Sequence, residues 1–228
     1  MPHWETIEKL GQTRCVPDTL LGELSAFVAE RMGLRFPRSN WGDLDRGLTS
    51  AAREFGFGDL ETFAQWVVSS QPSKEHTEIL ASHLTVGETY FFRDKTAFEI
   101  LEQRMLPDLI RARYAEGRRL KIWSAGCCTG EEAYSIAMVI DRAVPDASEW
   151  RIDIVATDIN RHFLRKAEAG VYTEWSFRQT PPWLREKYFR KTDTNKFEIL
   201  PRIKSMVEFE YLNLAEDVYP SFLINLYA

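Results

Sequence analysis

Only three cysteines occur in the 228 residues; Cys127 and Cys128 are adjacent, and Cys15 lies far upstream. That pattern contains neither a disulfide framework nor a zinc ligand pair at C-x-x-C spacing, and it fits a reducing compartment. The four histidines, His3, His76, His83 and His162, are scattered. No H-E-x-x-H spacing sets two imidazoles on one helical face, so no metal is expected and the histidines read as surface or packing residues. No apolar stretch approaches the roughly 20 residues a membrane-spanning helix needs, and Met1-Pro2-His3-Trp4-Glu5 lacks the basic-then-apolar order of a signal peptide. A basic surplus is missing too: 29 Lys and Arg stand against 34 Asp and Glu, a net charge of -5, which disfavours nucleic acid as a partner. Internal repeats and low-complexity tracts are absent. What is left is a cytoplasmic protein without membrane insertion, whose 44% hydrophobic and 28% charged composition suits one large domain or two small ones.

From Pro17 to about His83 the apolar spacing is helical. Leu20, Leu21, Leu24, Phe27 and Val28 form one stripe, which Gly33 can close in a left-handed conformation. Asn40 can cap a second helix carrying Leu44, Leu48, Ala51 and Phe55, Asp59 can cap a third carrying Leu60, Phe63, Trp66 and Val67, and Pro72-Ser73 introduce a fourth. A longer helical pattern from Asp94 to Tyr114 contains Pro107, which should kink or break it. After Gly117 the rhythm changes to strand, glycine loop and helix: Leu120–Ser124, then Gly126–Gly130, then Glu131–Val144. Ile152–Thr157 is a second strand ending at Asp158, followed by a helix from Arg161 to Ala169. Two successive β-α units argue for a parallel sheet. Beyond Val171 an aromatic-rich loop and a short helix lead to Phe197–Leu200 and Met206–Tyr211, which read as antiparallel strands of a small inserted sheet.

Three constellations can carry chemistry. Gly126-Cys127-Cys128-Thr129-Gly130-Glu131-Glu132 follows a strand, where glycines let a backbone approach a ligand. The loop lacks both G-x-x-x-x-G-K-[ST] and G-x-G-x-x-G, so neither a triphosphate cradle nor a dinucleotide site is supported. Glu131 and Glu132 either favour the helix dipole or face a cationic ligand. Asp158, at the end of the next strand, either accepts both hydroxyls of a ribose or caps the helix that begins near Asn160. Loop and aspartate together describe an adenosine-containing ligand with no phosphate requirement, of which S-adenosylmethionine is the commonest cofactor. The third constellation, His83 to Asp94, brings an aromatic cluster, Thr89 and Arg93 to the junction of the helical and α/β regions, where the aromatics are either interdomain packing or part of a site and Arg93 and Thr89 either site residues or surface salt-bridge and cap residues.

In this order the pieces resemble the chemotaxis receptor methyltransferase family (CheR). The resemblance rests on Gly87-Glu88-Thr89-Tyr90-Phe91-Phe92-Arg93, on Ile122–Met138 around the glycine loop, on Ala156-Thr157-Asp158-Ile159 and on Asn213-Leu214. It implies an α/β protein with an N-terminal helical domain (1–85) and a Rossmann-like S-adenosylmethionine methyltransferase domain (86–228) carrying a small antiparallel β-subdomain at about 171–210. Thr89 and Arg93 would contact the methionine end of the cofactor, with Gly87 beside them. Gly126 and one or both of Glu131 and Glu132 would line the pocket, Asp158 would hold the ribose, and Asn213-Leu214 would flank the adenine. Arg93 would also orient the substrate carboxylate, making it the catalytic candidate. The implied reaction is esterification of glutamate side chains on a chemoreceptor's cytoplasmic domain, with S-adenosylhomocysteine as product and no metal. Arg46 and Arg53, seven apart on one helical face, are either receptor contacts or a solvated face.

The sequence departs from the family pattern at several points. Gly87 stands where many members have an asparagine, and Ala133 replaces a usual proline. The short Lys191–Lys196 segment lacks the glycine-rich loop of relatives that dock a receptor's C-terminal pentapeptide, so a pentapeptide-independent type is expected. After Asn213-Leu214 the family continues with a further strand, an asparagine and a tyrosine, whereas here the chain closes at Leu226-Tyr227-Ala228. The expectation is therefore an incomplete methyltransferase fold: a fragment, a truncated gene product, or an oligomer that hides an open sheet edge. The competing function is a non-catalytic module of the same family that binds a receptor or signalling partner.

Overall fold

The computed structural model describes residues 16–70, 72–144 and 146–216. His3, Cys15 and the closing Leu226-Tyr227-Ala228 lie outside the described residues. The chain divides into two compact units, one ending at Leu84 and one beginning at Thr85.

The described part of the first unit is helical: α1 (Asp18–Met32), α2 (Trp41–Glu54), α3 (Leu60–Ser69) and α4 (Lys74–Leu84). Gly33 closes α1 in the left-handed conformation, and the Asp59 carboxylate caps α3 by accepting from the Thr62 N–H at 2.8 Å. Asn40 precedes α2 but makes no side-chain cap; a 3-10 turn, Arg38–Asn40, feeds the helix, and Asn40 Oδ1 accepts from the Ser39 hydroxyl at 2.9 Å. α1 packs on α3 and α2 on α4, burying Leu21, Leu24, Val28, Leu44, Leu48, Phe63, Val67 and Leu80 completely. His76 is a packing residue, its ring 5.4 Å from that of Phe55 and 5.3 Å from that of Trp66, and His83 pairs with Glu54 at 2.6 Å. Arg46 and Arg53 are both exposed on α2, and Arg46 is ion-paired with Asp43.

The second unit opens with a continuous helical stretch, α5 (Lys95–Ile100), a π-helical turn (Leu101–Met105) and α6 (Leu106–Arg113). The widened turn falls just ahead of Pro107, whose ring would clash with the carbonyl four residues back; the helix absorbs the proline without breaking. Three parallel strands follow in the order β1 (Arg119–Ala125), β2 (Arg151–Asp158), β6 (Val207–Tyr211). Between them, α7 (Glu131–Ala143) and α8 (Arg161–Ala169) pack on β2 and β6. Register pairs Ala125 with Thr157 and Asp158 with Tyr211, so the carboxyl ends of all three strands lie side by side.

The small antiparallel sheet is built from β3 (Val171–Tyr172), β5 (Phe197–Ile199) and β4 (Phe189–Lys191), in that order. This corrects the sequence reading: Met206–Tyr211 does not pair with Phe197–Leu200, and its strand portion joins the main sheet parallel to β2. Both runs alternate in the same way, so the local pattern carries no information on partner or direction. The helices α9 (Pro182–Tyr188) and α10 (Pro201–Lys204) flank the β4–β5 pair in sequence, with α9 lying between β3 and β4.

Phe91 sits fully buried where the small sheet meets the rest of the unit, its ring 4.9, 5.0 and 5.1 Å from those of Tyr172, Phe177 and Phe189. Replacing it with alanine removes the centre of that cluster. Phe91→Ala is expected to lower unfolding stability by about 3–5 kcal/mol, against well under half of that for Phe92→Ala, whose ring is only half-buried, as read by urea denaturation of the whole chain.

Candidate functional site

The site is assembled where β1 and β2 end. Gly126 and Gly130 take φ of 76° and 91°, values that favour glycine, and between them Cys128 takes φ of 52°. The loop is fixed to the neighbouring strand by the Gly126 and Cys127 N–H groups, which donate to the Thr157 carbonyl at 2.8 and 2.9 Å. A Cβ on Gly130 would lie 2.8 Å from the Ala167 Cβ, so helix α8 closes on the loop there, whereas a Cβ on Gly126 would meet nothing within 4 Å. Open space over the Gly126 backbone is what close approach of a ligand requires.

Asp158 holds this arrangement. Its Oδ2 accepts from the Cys128 N–H and its Oδ1 from the Asn160 N–H, both at 2.8 Å. Burial raises its pKa, against the lowering effect of the backbone donors at Asn160, Cys128 and Ile159. The helix cap that sequence left open for Asp158 belongs to Asn160, whose Oδ1 accepts from His162 and Phe163 at the start of α8. With three backbone donors on its two oxygens, the Asp158 carboxylate keeps acceptor capacity for a hydroxyl donor such as a ribose. Burial also raises the pKa of both loop cysteines, Cys128 to about 11, so neither thiol is a nucleophile near neutral pH.

Beside the loop lies a cavity of about 650 Å³. Gly87, Thr89 and Glu131 line it together with Thr129, Ser176, Trp175 and two lysines, Lys166 and Lys196. Glu131 is 3% exposed, and its carboxylate accepts from the hydroxyls of Thr129 at 2.5 Å and Ser176 at 3.0 Å. Tyr172 adds a bond from its hydroxyl to the Thr129 carbonyl at 2.8 Å. Behind Trp175, the Arg178 guanidinium lies over the rings of Tyr90 and Trp175, 3.8 and 4.4 Å from their centroids, and donates to the Trp175 carbonyl at 2.9 Å.

The remaining sequence candidates are placed differently. Glu132 is exposed and accepts from the Ser124 hydroxyl at 2.7 Å, which separates its role from that of buried Glu131. Arg93 is exposed, donates to the Glu88 carbonyl at 2.7 Å and does not line the cavity. Asn213 is buried and accepts from the Ala215 N–H at 3.0 Å, next to Leu212, whose N–H donates to the Asp158 carbonyl; Leu214 is 48% exposed. Gly126, Asp158 and Asn213 thus gather at the strand ends, while Gly87, Thr89 and Glu131 share the cavity. Ser176, Tyr172, Asn160, Lys166 and Lys196 escaped the sequence reading. Only Asn160 had a local signal, as a capping residue just ahead of a helix.

The described residues fit an adenosine-containing cofactor: a buried carboxylate at the strand ends, an uncovered glycine backbone and an adjoining cavity with a buried acid. A family model described as the CheR methyltransferase SAM binding domain matches residues 87–223, more than half of the chain. The chain belongs to the CheR methyltransferase family. Relatives that match it include a chemotaxis protein methyltransferase of Borreliella burgdorferi, 29% identical over 202 residues, which cover 88% of this chain and 71% of that protein. A probable chemotaxis protein methyltransferase of Rhizobium etli is 33% identical over 73% of this chain and 63% of its own length. Chemotaxis protein methyltransferase 1 of Pseudomonas aeruginosa is 38% identical over 61% of this chain and 52% of its own. The chain therefore spans about half to seven tenths of the length of these relatives. Among the described residues no helix is long and apolar enough to cross a membrane.

The CheR resemblance makes Gly87 a departure, and the structure supplies a local reason. A Cβ there would lie 2.7 and 2.9 Å from two atoms of the Phe163 ring, so that ring occupies the space a side chain at position 87 would need. Gly87→Ala is expected to cost on the order of 1 kcal/mol, and most of that cost should vanish in a Phe163→Ala background. A double-mutant cycle on chemical denaturation checks this; additive effects would mean that ring and glycine are independent.

Proposed function

We propose that this chain binds S-adenosylmethionine and methylates glutamate side chains on the cytoplasmic part of a chemoreceptor. The observation that carries the reading is the Asp158 clamp, a buried carboxylate that sets the glycine loop at the strand ends and keeps acceptor capacity for a hydroxyl. When bound, the cofactor supplies an electrophilic sulfonium methyl: a glutamate carboxylate oxygen forms the new O–C bond as the C–S bonding pair leaves with sulfur, giving the ester and S-adenosylhomocysteine. A carboxylate is already ionised near neutral pH, so the protein's work is positioning and charge placement rather than proton removal.

In this reading Asp158 holds the ribose and Asn213-Leu214 flank the adenine. Gly87, Thr89 and Glu131 shape the side toward the methionine moiety, where the buried carboxylate suits a cationic group. Gly126 provides the close backbone approach. Glu132 supports the loop through Ser124, and Arg93 orients the substrate carboxylate. Arg46 and Arg53, exposed on α2, serve as receptor contacts. The tight β4–β5 connection, in which the Thr192 N–H donates to the Lys196 carbonyl at 2.8 Å, supports recognition that does not depend on a receptor pentapeptide. The free thiols of Cys127 and Cys128 support a cytoplasmic setting.

The purified chain should bind S-adenosylhomocysteine saturably and transfer labelled methyl groups from S-adenosylmethionine to a receptor cytoplasmic fragment as base-labile esters. Asp158→Ala should lose binding by about tenfold or more, since a hydrogen-bonding site left unpaired costs on the order of 1–3 kcal/mol. Folded wild-type chain that ignores the cofactor would overturn the reading; cofactor binding without methyl transfer would favour the non-catalytic binding module.

A pH dependence follows from the raised pKa of Asp158. The folded chain takes up this proton at higher pH than the unfolded chain does, so acidification from the raised value toward the ordinary carboxylate range favours folding through this group. Over the same window the ionised acceptor is lost, and affinity for S-adenosylhomocysteine should fall. Calorimetric titration at a series of pH values checks this, with Asp158→Asn expected to remove the dependence.

A further inference from the structure

The cavity beside the glycine loop has an uneven charge inventory. Its lining contains two acids, and both are engaged: Glu88 faces the Arg178 guanidinium at 3.7 Å, and Glu131 is held by the hydroxyls of Thr129 and Ser176. On the neighbouring elements Glu174 is paired with Arg185 at 2.5 Å and Glu198 with Arg190 at 2.6 Å, while Glu168 on α8 and Asp193 in the β4–β5 connection are exposed and do not line the cavity. Lys166, on α8, and Lys196, at the end of the β4–β5 connection, line the same cavity, are exposed, and have no ion-pair partner among the described residues. In a protein of net charge -5, two exposed ammonium groups outside any ion pair at one cavity wall offer a site for carboxylates that the rest of the surface disfavours. Flexible, strongly hydrated lysines suit a carboxylate-bearing chain held in several registers, and less well a single bidentate anion, which an arginine fork would grip. The exposed Trp175 indole, 67% accessible on the same lining, offers an apolar face alongside them.

We infer that Lys166 and Lys196 are substrate-positioning residues that select an acidic polypeptide segment, engaging carboxylates that flank the target glutamate and so delivering it into the cavity. This rests on the methyltransferase reading for the identity of the target side chain, but the electrostatic selection concerns binding and is measurable without turnover. Complementary charge of this kind acts mainly on encounter and register, so its signature is a salt-sensitive affinity.

The test uses the full chain with S-adenosylhomocysteine present and a fluorescein-labelled peptide whose central glutamate is flanked by further glutamates. A second peptide carries glutamines at the flanking positions. Fluorescence anisotropy should show the wild type preferring the acidic peptide, with affinity falling as salt is raised. The charge reversal Lys166→Glu/Lys196→Glu should weaken that binding by about tenfold or more and flatten the salt dependence, and Lys166→Arg/Lys196→Arg should restore it. Unchanged thermal midpoints in these surface variants would show that the fold is intact. Equal binding of the two peptides by wild type, binding by the reversal variant equal to wild type, or no binding of either peptide would each overturn the inference. Acidic-peptide binding that depends on the lysines, without methyl transfer in a parallel assay, would overturn the proposed reaction and leave the lysines' role standing.

Discussion

Everything at the candidate site depends on one buried carboxylate. Asp158 takes backbone N–H bonds from two segments at once, the glycine loop through Cys128 and the start of the β2–α8 turn through Asn160. A charge in that position is costly to bury, which is why its pKa is raised, and the two amide donors are what make the burial tolerable. The left-handed conformation of Cys128, unusual for a residue with a side chain, is tolerated because it aims the N–H at this acceptor. Remove the carboxylate, and the loop loses its tie to the second strand apart from the bonds to the Thr157 carbonyl.

The second constraint is the way the small antiparallel sheet is joined to the loop. Ser176 reaches the Glu131 carboxylate from a 3-10 turn, Tyr172 reaches the Thr129 carbonyl from β3, and the Phe91 N–H donates to the Ser176 carbonyl at 3.0 Å. These bonds, with the aromatic cluster around Phe91, make the segment 86–92, the glycine loop and the small sheet one packed body. The cavity walls are therefore contributed by segments far apart in sequence. The small sheet and its connections thus bring Lys196 and Trp175 to the same cavity wall as Thr129 and Glu131 of the glycine loop and helix.

Much of the fold was legible because its local signals are strong. The helices of the first unit follow from three-to-four spacing with Gly33 and Asp59 as stop and start, and the strand–loop–helix unit follows from a glycine loop between a β-rich run and an amphipathic one. Reading failed where two local patterns were equivalent. Met206–Tyr211 and Phe197–Leu200 alternate alike, and only the packing of the sheet sends one to a parallel partner and the other to an antiparallel one. Asn40 has the chemistry of a cap, but a 3-10 turn at Arg38–Asn40 took over the approach to its helix.

The sequence by itself determined the family, the helical and the α/β character of the two units, and the turn at the glycine loop, because these rest on contiguous residues whose spacing carries a backbone conformation. Only the tertiary structure decided which of Glu131 and Glu132 is buried, that Arg93 stands on a backbone carbonyl outside the cavity, and that Phe163 fills the space over Gly87. It also brought Ser176, Lys166 and Lys196 to the cavity from three different elements. Adjacent glutamates look identical in sequence; a helix turns successive side chains by about 100°, sending one inward and the other to solvent, and only the packed neighbours settle which.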